Sequence, residues 1–154
     1  MPELPEVETV RRGLEAALRN AEIRSVETRR SDLRISFPQN LAQALAGRRI
    51  GAIGRRAKYL LFALDSDDVL IAHLGMTGRF SVMPEPPKSY GTHDHAIFAL
   101  KDGRMLIFND ARRFGLMTLA KKGALAQHPL FAALGPEPFD KTFSATYLKN
   151  ALLK

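Results

Sequence analysis

The feature that most restricts this fold is a succession of short apolar runs between residues 50 and 119, each closed by a turn. Residues 50–56, 58–64, 69–74, 78–82, 94–100, 104–109 and 116–119 read as strands, bounded by glycine, proline and acidic residues. Asp65-Ser66-Asp67-Asp68 is a polar turn, and Lys101-Asp102-Gly103 is a strong hairpin signal. The connection from Met83 to Gly91 carries Pro84, Pro86 and Pro87 and can hold no central strand, because proline cannot donate to a ladder. Strands this short and this closely spaced build a β-sandwich or a barrel.

Helical patterns frame this block. Val7, Val10, Leu14 and Leu18 recur at spacings of three and four, which predicts an amphipathic helix over 5–19. Short β-type runs follow within 22–37, including Ile23-Arg24-Ser25-Val26 and Leu33-Arg34-Ile35. A second helix is expected over 39–46, stopped by Gly47. Residues 123–134 also look helical. Helices gathered at the two ends of a β-rich sequence indicate α+β segregation. There is no internal repeat.

A chain of 154 residues with 45% hydrophobic content can bury the core of one domain. No apolar run approaches the ~20 residues that span a bilayer, and the acidic N-terminus is unlike a signal peptide. With no cysteine there is neither a disulfide nor a thiolate metal site, a composition that fits a cytoplasmic protein. The net charge of +7 points to a polyanionic partner, with nucleic acid the leading candidate.

The chemistry concentrates in the first residues, Met1-Pro2-Glu3-Leu4-Pro5-Glu6-Val7-Glu8. Pro5 suits the first turn of a helix, where Glu6 and Glu8 meet the positive end of its dipole. With Met1 removed, Pro2 is a secondary amine with an ordinary pKa near ~8, able to attack an electrophilic carbon as the neutral base. Glu3 is placed to move protons beside it. A capped helix start is the ordinary alternative for such a segment.

Two loops stand out further along. Met76 lies in the turn Gly75-Met76-Thr77-Gly78, and Arg112, Arg113 and Phe114 lie in Asp110-Ala111-Arg112-Arg113-Phe114-Gly115. Apolar residues near strands usually pack inward, so core burial is the ordinary expectation for Met76 and Phe114. Lys58 follows Arg55-Arg56-Ala57 and by itself reads as a solvated lysine at a hairpin. In His93-Asp94-His95 the two imidazoles share one face of a strand, but with no further ligand a metal site is disfavoured. Structural hydrogen bonding is expected of His73 and His95.

Met-Pro-Glu-Leu-Pro-Glu-Val-Glu-Thr-Val resembles the N-terminus of the formamidopyrimidine-DNA glycosylases, bifunctional enzymes that remove oxidised purines from DNA. The resemblance continues in the same order through Arg55-Arg56-Ala57-Lys58-Tyr59-Leu60, His73-Leu74-Gly75-Met76-Thr77-Gly78, His93-Asp94-His95, Asn109 to Gly115 and Gly135-Pro136-Glu137-Pro138. It implies a two-layer β-sandwich of antiparallel strands flanked by helices. It also implies that Pro2 is the nucleophile, forming an iminium with the sugar, and that Glu3 is the general acid/base. Lys58 is implied as a catalytic proton donor and phosphate contact, with Glu6 in a positioning role. Met76 and Phe114 are implied to wedge the base stack and Arg112 to bond the orphaned cytosine, with Arg113 and His93 on the DNA backbone.

The implied partner is double-stranded DNA containing oxidised purines, bound by a monomeric, bacterial-type, nucleoid-associated enzyme with no membrane association. The implied domains are a catalytic sandwich over 1–134, then 135–154 as a linker and the start of a helix–two-turn–helix domain carried by a helix from Ser144. The family's zinc finger belongs beyond Lys154, so no cofactor is expected in this chain. A 1–154 polypeptide is accordingly expected to bind DNA weakly and turn over little. Two alternatives are a glycosylase for oxidised pyrimidines, which Leu4, Val7 and Phe114 argue against, and a non-catalytic DNA-binding module. Departures from the family pattern are small: Ala111 where proline is frequent, and Phe139 where leucine is.

Overall fold

The computed structural model of the protein describes residues 3–29 and 36–132. The expected run Leu33-Arg34-Ile35, the break at Gly135-Pro136-Glu137-Pro138, the helix from Ser144, and Pro2 itself lie outside those residues. Helix α1 spans Leu4–Leu18, β1 Ile23–Thr28, α2 Leu41–Leu45, β2 Ile50–Arg56, β3 Tyr59–Leu64, β4 Asp68–His73, β5 Arg79–Met83, β6 Asp94–Leu100, β7 Met105–Asn109 and β8 Leu116–Lys121. A 3-10 helix over Lys122–Gln127 and α3 over Pro129–Ala132 follow. Among the described residues no helix is long and apolar enough to cross a membrane.

The strands form two four-stranded antiparallel sheets, ordered β1-β6-β7-β5 and β2-β3-β4-β8. Their inner faces share one core. Ile23, Val26, Phe98, Leu106 and Phe108 of the first sheet pack with Ile53, Leu60, Phe62, Leu70 and Met117 of the second. The architecture is the expected two-layer sandwich. Strand β3 is buried at every position because its outer face is covered too. Tyr59, Leu61, Ala63, Val69 and Ile71 lie under Leu125 and Phe131. That double cover is why β3 reads as a continuous apolar run rather than an alternating one.

Helix α1 closes the free edge of β2. Val7, Leu14 and Leu18 enter the core, and two polar side chains on the same helix meet the edge backbone. Ile53 donates its N–H to Glu15 Oε2 at 2.8 Å and accepts from Arg11 Nη1 at its carbonyl at 2.9 Å. These bonds fall where the β2–β3 register shifts, and they satisfy groups that an exposed edge leaves to another chain.

Two local expectations are sharpened. Gly47, with φ +79°, ends α2 as the left-handed cap. The single helix read over 123–134 is instead a 3-10 helix and a short α-helix, parted at His128. Pro129 explains the break: its ring disfavours helical backbone at the preceding residue but suits the first position of a new turn.

Candidate functional site

Strand register places the singled-out residues at one end of the sandwich. Tyr59 pairs with both Arg56 and His73, and His73 pairs with Leu116. The β2–β3 turn with Lys58, the tip after β4 with Met76, and the loop before β8 with Phe114 therefore leave the second sheet together. In the first sheet Asn109 pairs with Arg79 and with Asp94, so His93 emerges at the same end. Helix α1 points its N-terminus there as well, since Arg11 and Glu15 meet Ile53 while Glu8 meets Arg55 nearer the turn.

Glu3 is the N-cap residue of α1, and Pro5 sits in the first turn, as the sequence predicts. Glu3 and Glu6 are both exposed. Glu8 serves a purpose its sequence position does not announce. Its carboxylate accepts from Arg11 Nη2 at 2.7 Å, from Arg12 Nε at 2.8 Å and from Arg55 Nε at 3.0 Å. The Arg11 bonds first, then those from Arg55 and Arg12, hold this carboxyl at about 2, against the desolvation that opposes them. Arg55 Nη1 also donates to the carbonyl of Ala57 at 3.1 Å, and Ala57 has a left-handed φ of 49°. Glu8 thus connects the start of α1 to the turn that presents the half-buried Lys58.

The Met76 and Phe114 loops are built against each other. Gly75 has φ +61°, and a Cβ there would lie 2.5 Å from the Phe114 carbonyl carbon. A Cβ on Gly115 would lie 2.7 Å from the His73 carbonyl oxygen. Only glycines permit this approach. The buried Asp110 carboxylate accepts from Thr77 Oγ1 at 2.7 Å and from the Gly115 N–H at 2.7 Å. Its backbone N–H donates to the His93 carbonyl at 3.0 Å, and its carbonyl accepts from His95 Nε2 at 2.6 Å. His73 Nδ1 accepts the Gly75 N–H at 2.9 Å. His73 and His95 are both buried in hydrogen-bonding roles, as expected.

The loops project what they carry. Met76 is 41% and Phe114 43% exposed, so the ordinary expectation of core burial fails for both. Glycine packing turns the backbone outward and leaves these side chains no inner face. The Arg112 guanidinium lies 5.3 Å from the Phe114 ring centroid. Arg113 adopts a left-handed φ of 60°, and His93 is exposed beside β6. Among the described residues no group of three His, Asp or Glu side chains converges as a metal site.

Glu8, Thr77 and Asp110 are the site residues to which sequence reasoning gave no such part. Asp110 and Thr77 sit inside the two noted loops, but nothing local pairs residues 33 positions apart.

A family model described as the formamidopyrimidine-DNA glycosylase N-terminal domain matches residues 1–117. A formamidopyrimidine-DNA glycosylase of Methylocella silvestris is 52% identical over 159 residues, covering 96% of this chain and 54% of that protein. One from Azorhizobium caulinodans is 52% identical, covering 98% and 55%. A crystal structure of Lactococcus lactis Fpg in complex with abasic-site-containing DNA superposes with a TM-score of 0.79 at 35% identity, covering 89% of this chain and 51% of that one. A complex of the same protein with FAPY-dG-containing DNA superposes at 0.78. The chain spans about half the length of the curated relatives it matches. With matching motifs, sandwich and relatives along nearly its whole length, this chain belongs to the formamidopyrimidine-DNA glycosylase family.

Proposed function

We propose that this chain is the DNA-facing catalytic domain of a base-excision DNA glycosylase that removes oxidised purines, 8-oxoguanine and formamidopyrimidines, and then cleaves the strand. The observation that carries this reading is the exposure of Met76 and Phe114 beside Arg112, at the end of the sandwich where Lys58 and the start of α1 also emerge. An everted nucleotide leaves a hole in the duplex. Apolar side chains inserted there offset the few kcal/mol of lost stacking, and a guanidinium beside them bonds the orphaned base. Arg113 and His93 contact the backbone phosphates. The net charge of +7 suits this polyanionic partner.

Pro2, freed of Met1, attacks the anomeric carbon as a neutral amine while the damaged base departs with a proton, and ring opening gives an iminium. Its positive charge acidifies the adjacent sugar carbon. Loss of that proton expels the 3′ phosphate, and a second elimination expels the 5′ phosphate. Glu3 moves protons at the sugar, Lys58 donates during elimination, and Glu6 positions the helix start. The enzyme acts as a monomer.

Borohydride trapping of the full-length protein tests this. Duplexes carrying 8-oxoguanine or an oxidised pyrimidine are offered in parallel, and the cross-linked residue is located by mass spectrometry. The expected result is an adduct at Pro2, formed preferentially on the purine lesion. An adduct on a lysine, or none from protein lacking Met1, overturns the mechanism; preference for the pyrimidine lesion overturns the substrate assignment.

A further inference from the structure

We propose that Thr77 and Asp110 are positioning residues that make the Met76 turn and the Phe114 loop a single preassembled wedge, so that neither apolar side chain moves independently of the other. The proposal rests on the DNA-wedge reading above and adds to it the groups that set the wedge's geometry.

The bonding pattern at Thr77 supports this. Its hydroxyl has one proton, and it accepts the Arg112 N–H at 3.0 Å. That proton is therefore directed to Asp110 Oδ1, 2.7 Å away. One side chain in the Met76 turn thus grips the second loop at two points, Arg112 and Asp110. The other Asp110 oxygen holds Gly115, closing the loop on the far side of Phe114. The loop is bracketed between 110 and 115, and the bracket is fastened to the turn.

Two further observations make the unit stiff. The turn is closed on itself by the Gly78 N–H to the Leu74 carbonyl at 2.7 Å. The backbones of Gly75 and Phe114 touch with no room for a Cβ. Asp110 is fully buried and tied through its own backbone to His93 and His95, so the anchor does not shift with solvent. A wedge entering a base stack gains from this. The ordering of its side chains is settled before DNA arrives, and affinity lost to ordering on contact is retained.

The test uses the full-length protein and a duplex with a stable abasic analogue opposite cytosine. Met76→Ala, Phe114→Ala and their combination are measured in the wild-type, Thr77→Val and Thr77→Ser backgrounds. Valine keeps the shape of threonine and removes the hydroxyl; serine keeps the hydroxyl. In the wild-type background the two alanine substitutions are expected to be non-additive by about five-fold or more in Kd. Thr77→Val is expected to reduce that coupling to less than about two-fold, and Thr77→Ser to restore it.

Amide exchange without DNA supplies an independent reading. Thr77→Val is expected to speed exchange at Gly78 and Gly115 together, neither of whose amides hydrogen-bonds the Thr77 side chain. Coupling that persists in Thr77→Val, or faster exchange confined to one loop, overturns the proposal. If exchange responds as expected but Met76→Ala and Phe114→Ala leave DNA affinity unchanged, the wedge reading fails and the linkage of the loops stands.

Discussion

At the end of the sandwich away from Met76, turns carry charges of both signs, set against each other. Arg48 meets Asp65 at 3.7 Å, Arg49 and Lys101 meet Glu22 at 3.7 and 3.8 Å, Arg104 meets Asp102 at 2.9 Å, and Lys121 meets Asp68 at 3.0 Å. The Met76 end spends its acids differently. Asp110 is buried in bonds to a hydroxyl and an amide, Asp94 accepts from Gly91 and Asn109, and Glu8 is enclosed by arginines. The loops there also hold two non-glycine residues with left-handed backbone, Ala57 and Arg113, against Asn20 at the far end, and present apolar side chains to solvent. One end neutralises its surface; at the other, Glu3 and Glu6 stay exposed, but Asp110, Asp94 and Glu8 are engaged in bonds that shape the loops and helix start carrying arginine and apolar groups outward. Backbone strain held in place by such internal bonds is a mark of sites built for a partner.

Glycine substitutions break this contrast most severely. Gly75→Ala is expected to cost about 3 kcal/mol or more, since it combines a left-handed φ with a 2.5 Å clash against Phe114 backbone. Gly103→Ala at the opposite end also sits at positive φ, +96°, but meets nothing within 4 Å, and costs about 1 kcal/mol. Urea unfolding of the two variants measures the difference; equal losses would mean that the Gly75 contact adds no strain.

Glu8→Gln comes next, at about 1–2 kcal/mol near pH 7, a figure reduced for a carboxylate that solvent still reaches. Its sign follows from the protonation states. The folded carboxyl keeps its charge down to about 2, whereas an unperturbed one is protonated near 4.5. The wild-type advantage is complete above pH 4.5 and fades as the pH falls toward 2. Denaturant midpoints at pH 7, 4 and 2.5 should converge; a constant gap would locate the stabilisation elsewhere.

The smallest stability effects are expected from Phe114→Ala and Lys101→Ala, one at each end, both within about 0.5 kcal/mol. Thermal melts check the stability. DNA affinity separates the two: Phe114→Ala weakens binding of the full-length protein to lesion duplex by about ten-fold or more, Lys101→Ala far less. Equal effects on binding would erase the distinction between the ends.

Strand and helix positions were largely legible because their signals are local. The apolar runs at 94–100 and 104–109 flank a glycine turn and pair as a hairpin, and the three–four spacing from Val7 to Leu18 gives α1. Lys58 and Glu3 were placed by motif resemblance, and the register brings their segments to one end. Met76 and Phe114 resisted reading from composition because hydrophobicity argues for burial, while the close packing of Gly75 and Gly115 leaves them outside. The helix expected over 123–134 overlooked what Pro129 does to His128.

By itself the amino-acid order determined the short strands, their turns, the capped helix at the start and the family, since each is encoded within a few neighbouring residues. Only the tertiary structure decided which carboxylate serves which loop. Thr77 and Asp110 are separated by 33 residues and Glu8 and Arg55 by 47. Hydrogen bonds depend on distance and angle in space, and chain separations of that size leave no periodicity from which either could be inferred.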